Sequence, residues 1–210
     1  MKIGILTQPL ASNYGGILQN YALQVVLKRL GHDPYTIYYG QGKFWDWVNI
    51  WIRYIVKVII RHPGRKYRPL NYNDFIHRCT RSYMVDFVKE NIQTTKHLGR
   101  NIRYSQIEHY GFDAYVVGSD QVWRPIYNEG ELLGNMYLDF AKDIPSIKRI
   151  SYAASFGVDN WNEYNKYQTN QCQELINLFD AVSVREGSGV DICKKYLKKD
   201  AVHLLDPTLP

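Results

Sequence analysis

Ser119, Asp120 and Gln121 are three hydrogen-bonding side chains in a row, and Gly118 separates them from the apolar run Tyr115-Val116-Val117. A short buried strand that empties into such a turn sets donors and acceptors at its carboxyl end, where open α/β sheets place their ligands. Trp123 and Pro125 close the loop. Taken alone, the same residues also make a plain turn with a polar cap over a buried Trp, so the rest of the chain has to decide between the two. A second set, Asn13-Tyr14-Gly15-Gly16, stands where a helical pattern begins. Backbone N–H groups and the helix dipole can hold an anion there, and equally the two glycines can serve only a tight turn and close packing. G-x-G-x-x-G and the Walker spacing are both missing from this stretch, which leaves a dinucleotide or P-loop assignment without support. A third set, Arg185-Glu186, comes directly after the apolar run Ala181 to Val184 and falls at the carboxyl end of another expected strand.

The elements that must position these residues alternate. Residues 2 to 7 read as a strand, Gly15 to about Leu30 as a helix with Leu18, Ala22, Val25 and Leu30 at helical spacing, and Gly31 as its C-cap. A second strand is expected over Tyr35 to Tyr39. Further along come a helix from Tyr72 to Glu90, a short helix over Tyr104 to Tyr110, and the strand that ends at Gly118. Arg149 to Ala154 is the next strand, and a helix from about Glu163 to Leu178 comes after it. The strand Ala181 to Val184, a helix from Gly187 to Leu197, and a last strand over Val202 to Leu205 complete the series, which Asp206-Pro207 stops. This alternation predicts an α/β fold with a doubly wound parallel sheet in one domain over residues 1–210, carrying a helical insertion at about 43–111.

Composition sets bounds on function. With 45% hydrophobic and 22% charged residues, the 210-residue chain is of ordinary globular type and long enough to bury a core. Cys79, Cys172 and Cys193 are far apart and form no CxxC pair, so neither a disulfide framework nor a cysteine metal site is indicated, and a reducing, cytoplasmic setting fits. The start of the chain reads as a strand rather than an export signal. Formal charge is +6, with the excess concentrated in residues 53 to 103, where 12 Lys or Arg face only Asp74, Asp86 and Glu90. Such a segment can meet nucleic acid, an anionic membrane or phosphorylated substrates. No nucleic-acid motif accompanies it, and the basic residues sit among apolar helical patterns, so nucleic acid is the least favoured of the three.

Residues 43 to 61 combine Trp45, Trp47 and Trp51 with Arg53, Lys57 and Arg61 on a narrow charged stripe, the apolar residues filling most of the remaining circumference. The charges interrupt the run of about 20 apolar residues that a membrane span needs. Three readings stay open: a helix lying in a membrane interface, a helix packed on a partner, and a core helix of this domain. The basic linker from His62 to Pro69 tilts the expectation to a peripheral contact on the inner face of the membrane.

Five spellings occur in order along the chain: Asn13-Tyr14-Gly15-Gly16-Ile17-Leu18-Gln19-Asn20-Tyr21-Ala22-Leu23-Gln24, Gly118-Ser119-Asp120-Gln121-Val122-Trp123, Ile150-Ser151-Tyr152-Ala153-Ala154-Ser155-Phe156-Gly157, Ser183-Val184-Arg185-Glu186, and Asp206-Pro207-Thr208-Leu209. Together they resemble the polysaccharide pyruvyl transferase family over essentially the whole chain. The resemblance implies two Rossmann-like halves facing across a cleft, as in nucleotide-sugar glycosyltransferases, with this chain as the N-terminal half. It implies a transferase that moves the pyruvyl unit of phosphoenolpyruvate onto two sugar hydroxyls of a cell-surface polysaccharide or its precursor, as a cyclic ketal, with release of phosphate and with no cofactor or metal. The general-acid histidine and a second phosphoenolpyruvate-binding arginine of the family lie in the other half. No catalytic residue is therefore placed on this chain, and the half alone is not expected to react.

That chemistry needs charge-assisted donors for phosphate and carboxylate, to which a bidentate Arg is best suited. Arg185 matches the family's arginine in this motif and is the expected anion ligand, a structural ion pair being its alternative role. Asn13, Tyr14, Gly15 and Gly16 are expected to offer backbone N–H groups to the substrate, and Ser119, Asp120 and Gln121 to bind sugar hydroxyls. Two other functions fit the pattern: a nucleotide-sugar glycosyltransferase of similar fold, and a non-catalytic module that binds a membrane or partner through residues 43 to 68.

Overall fold

In a computed structural model, residues 1–10, 13–40, 83–99 and 101–209 are described. They build a six-stranded sheet of β1 (Lys2–Leu6), β2 (Asp33–Thr36), β3 (Ala114–Val117), β4 (Lys148–Ala154), β5 (Ala181–Val184) and β6 (Val202–His203), in spatial order β2-β1-β3-β4-β5-β6. Every pairing is parallel. The order reverses between β1 and β3, so the crevice that doubly wound sheets use for ligands opens at the carboxyl ends of these two strands. The α/β, doubly wound expectation holds. The helices are α1 (Tyr14–Arg29), α2 (described over 83–91), α3 (Glu131–Met136), α4 (Lys166–Asn177) and α5 (Gly187–Ile192), the last continuing as a π turn over Cys193–Leu197.

Side chains alternate across the sheet as the two-residue period of a strand requires. Ile3, Ile5, Ala114 and Val116 pack with Leu23 of α1 on one face. Leu6, Tyr115, Val117, Val182 and Val184 point to the other, where Leu175 and Ile176 of α4 and Ile192 and Leu197 close the larger core. Strands buried on both faces read as continuous apolar runs, which is why Tyr115-Val116-Val117 shows no polar alternation. In β4 the alternation slips. A bulge between Ser151 and Ala154, with Ala153 at φ 47°, leaves Ile150 and Tyr152 on the α1 face and turns Ala154 to the opposite core. Bulges of this kind re-aim the next residues of the strand, here Ser155.

Several expectations shift in detail. The buried stripe of α1 is Gly16, Ile17, Asn20, Leu23 and Gln24, whereas Leu18 and Leu30 are exposed. The reason is a buried polar network: Gln24 Nε2 donates to Thr36 Oγ1 and to the Gln93 carbonyl, both at 2.8 Å, and Thr36 Oγ1 donates to Asn20 Oδ1 at 2.7 Å. β2 begins earlier than expected, at Asp33, because its register with β1 pairs Lys2 with Asp33 and Ile5 with Thr36. Tyr104 to Tyr110 forms two 3₁₀ turns, Tyr104–Gln106 and Glu108–Tyr110, and β6 is only two residues long. Of the expected insertion, the part from 83 onward packs against α1 and the β1 loop and touches the sheet edge: Met84, Val88 and Ile92 meet Leu10 and Ile17, and Thr94 bridges to Thr36 of β2. Trp45, Trp47, Trp51, Arg53, Lys57 and Arg61 lie outside the described residues. No helix among the described residues is long and apolar enough to cross a membrane.

Candidate functional site

β1, β3, β4, β5 and β6 all release their chains on the same edge, and the loops they release are bonded to one another. At the switch point, α1 begins with Asn13 as its N-cap, the side-chain oxygen accepting the Gly15 N–H at 3.0 Å. Such a cap stabilises a helix by about 1 kcal/mol. Gly16 is buried, and a Cβ built on it would stand 2.7 Å from Asp120 Oδ2. The missing side chain therefore lets the Asp120 carboxylate of the β3 loop lie against the positive end of α1, where a negative charge is favoured. Tyr14 and Gly15 are exposed at the same rim.

The β3 loop is held from behind. Gly118 has φ 129°, a conformation open to glycine, and a Cβ there would strike the Tyr152 carbonyl oxygen. The Asp120 carbonyl accepts the N–H groups of Val122 and Ser155, and Trp123 N–H donates to the Ser155 carbonyl at 3.1 Å. Trp123 is fully buried, stacked on Tyr137 at 5.1 Å, with its indole N–H on the Met136 carbonyl. The polar cap and the buried Trp of the plain-turn reading are thus both present, and they anchor the turn that carries Ser119 to Gln121. Ser119 Oγ is fully buried and has no hydrogen-bond partner among the described residues. Gln121 lies at the loop surface, its side-chain oxygen accepting Arg124 Nη1 at 3.3 Å. Tyr39 reaches the same region, its hydroxyl donating to the Thr7 carbonyl at 2.9 Å; burial, and secondarily the charge of Asp120, push that phenol well above its ordinary pKa, so it stays neutral.

Arg185 ties three loops together. Its Nε donates to Glu186 Oε1 at 2.9 Å, Nη1 donates to the Ser119 carbonyl at 3.3 Å, and Asp206 Oδ2 stands 3.7 Å from Nη1. Glu186 also accepts Ser155 Oγ–H at 2.8 Å, so the β4 bulge and the β5 loop meet on one carboxylate. Asp206 in turn accepts the Gln19 side-chain N–H from α1, and its Oδ1 accepts both the backbone N–H and the hydroxyl of Thr208. His203 Nε2 lies 2.9 Å from the Arg185 carbonyl oxygen, a structural contact at the strand end. All of the expected substrate residues in the described part, Asn13, Tyr14, Gly15, Gly16, Ser119, Asp120, Gln121 and Arg185, are therefore gathered at one edge.

The structure adds residues to which sequence reasoning gave no role. Gln19, Ser155, Glu186 and Asp206 stood inside the quoted motifs, and only their packing reveals that they fix Arg185. Arg124 and Glu163 had no signal, since the pair is 39 residues apart and joins two irregular loops. Around the Arg185 guanidinium the edge offers the carboxylates Glu186 and Asp206, with Asp120 beyond, so it can take hydroxyl groups readily. An anion must share Arg185 with acids already bonded to it.

A parallel, doubly wound α/β domain whose polar loops converge on the carboxyl edge at the switch point is of the class in which open sheets place their ligands at that edge. The family model for polysaccharide pyruvyl transferases matches residues 13–210, and the chain belongs to that family. Among solved structures, it is similar to an alpha-glucosyltransferase in complex with UDP-glucose and DNA containing an abasic site, at 11% identity and a TM-score of 0.45. That likeness covers 98% of this chain and 42% of the other, so the chain spans about two fifths of that protein's length. Nothing matches among curated proteins.

Proposed function

We propose that this chain forms one wall of a pyruvyl transferase cleft, in which phosphoenolpyruvate donates its pyruvyl unit to two hydroxyls of a glycan. The observation that carries the reading is Arg185: a guanidinium at the carboxyl edge, locked in orientation by Glu186, the Ser119 carbonyl and Asp206, with its Nη2 edge uncommitted among the described residues. In the reaction, the methylene carbon of the donor takes up a proton and becomes a methyl group. One sugar hydroxyl adds to the neighbouring carbon, the second displaces phosphate from it, and of the two hydroxyl protons released one balances the methyl and the other leaves with phosphate. Arg185 would hold the donor's phosphate or carboxylate, Ser119, Asp120 and Gln121 the acceptor hydroxyls, and the exposed rim of α1 at Asn13 to Gly16 would border the donor. The proton donor and a second cation for the trianionic donor are assigned outside the described residues, since Arg185 is already shared with two carboxylates.

Calorimetry with phosphoenolpyruvate tests this directly. The wild-type protein binds it, Arg185→Ala abolishes binding, and Arg185→Lys loses about tenfold or more because a point charge cannot reproduce the forked geometry. Unchanged affinity in Arg185→Ala removes this residue from the site. For the cellular setting, the Trp-rich basic stretch favours an acceptor met at the membrane surface. Combined Trp45→Ala, Trp47→Ala and Trp51→Ala substitution is expected to abolish cosedimentation with anionic liposomes, and persistence of binding would sink that part of the proposal.

A further inference from the structure

Next to the Gly118 to Gln121 turn, the loops after β3 and β4 meet in an ion pair that the donor chemistry does not use. Arg124 Nε and Nη2 reach Glu163 Oε1 at 3.2 and 2.9 Å, and Nε lies 3.3 Å from Oε2. Nη1 of the same side chain donates to Gln121 Oε1, which makes this rim continuous with the turn. The guanidinium carbon lies 5.3 Å from the centroid of the Tyr127 ring, and Tyr127 is still 53% exposed. A Cβ on Gly157 would press on Gln121 and Arg124, so the bare glycine of the β4 loop is part of how these two side chains fit together.

From this arrangement we infer an acceptor subsite for a neutral sugar ring on Arg124, Tyr127, Glu163 and Gln121. The geometry of the guanidinium decides the ligand class. Glu163 holds Nε and Nη2 of Arg124 and Gln121 holds Nη1, so an anion meets no uncommitted nitrogen of this side chain, unlike Nη2 of Arg185, whereas a polyhydroxylated ring finds carboxylate and amide groups fixed beside an aromatic surface. Arg124 lies over the Tyr127 ring, and the ring surface left exposed can take the C–H face of a pyranose. The remaining lone pairs of Glu163 and the amide of Gln121 can meet its hydroxyls. The inference rests on the pyruvyl transferase reading for its place in the reaction, but not for its chemistry.

Saturation-transfer NMR on the whole protein, with methyl glucoside, methyl galactoside and methyl mannoside each at about 10 mM, separates the two. At least one probe is expected to receive transfer at its ring protons. Tyr127→Ala weakens that binding about fivefold or more, Tyr127→Phe retains it, and Tyr167→Ala, an exposed tyrosine on α4, leaves it unchanged. No transfer to any probe, or binding indifferent to Tyr127→Ala, overturns the subsite. Calorimetry of Tyr127→Ala with phosphoenolpyruvate should match wild type. Tyr127-dependent sugar binding in a protein that ignores phosphoenolpyruvate would uphold the subsite and refute the donor reading.

Discussion

Gly118 is the residue on which the site turns. At φ 129° and with the Tyr152 carbonyl where a side chain would go, it admits no substitution without moving β4. Gly118→Ala is expected to cost about 3 kcal/mol or more, read as a lowered urea midpoint or failure to accumulate soluble protein. Gly31, also at positive φ but with open space around it, should meet only the conformational strain, about 1–2 kcal/mol for Ala. The sequence made Gly118 visible as a break in an apolar run, and made Arg185 visible at a strand end. It hid why Arg185 is fixed, because its partners Asp206 and Glu186 are themselves held by Gln19 and Ser155 from other elements, and no local pattern encodes a bond across 187 positions such as that between Gln19 and Asp206.

At the scale of elements, α1 illustrates what periodicity misses. An apolar stripe through Leu18, Ala22, Val25 and Leu30 is a reasonable reading of the letters, yet the buried stripe includes Asn20 and Gln24, which hydropathy places outside. They are inside because each meets a polar partner: Asn20 Oδ1 accepts the Thr36 hydroxyl, its Nδ2 having no partner among the described residues, and Gln24 bonds β2 through Thr36 and, through both its amide groups, the backbone of Gln93. Gln24→Leu keeps the volume but leaves a backbone N–H and carbonyl at Gln93 without these partners. A loss of about 2 kcal/mol is expected, measurable by chemical denaturation, and Gln93 N–H should lose protection from hydrogen exchange. The strands were legible to within one or two residues where both faces are buried, as in β3 and β5. They were less so at the sheet edges, where β2 and β6 take their limits from register with a neighbour rather than from their own residues.

Across the whole molecule, burial of ionisable groups sets an alkaline limit. Desolvation pushes the thiols of Cys172 and Cys193 up to about 12, and pushes the phenols of Tyr137 and Tyr164 well above their ordinary value. Each folded-state pKa lies above its unfolded one, so this stability is fully present below the unfolded pKa and is lost as pH rises towards the folded one. From about pH 9, stability should fall by on the order of 1 kcal/mol per pH unit for each thiol, and a Cys172→Ala, Cys193→Ala double variant should show a shallower alkaline limb in its melting temperature. At neutral pH both thiols should resist a disulfide reagent until the protein unfolds. The all-parallel sheet has a practical corollary. Since every strand runs the same way, the loops that enter strands lie on the rim opposite the site, and two of them, at Gly31 and Gly111, have free space where a side chain would stand. A surface-coupling tag or fluorescent label inserted in either loop would immobilise or report on the protein from its far side, leaving the carboxyl edge of the sheet facing solution.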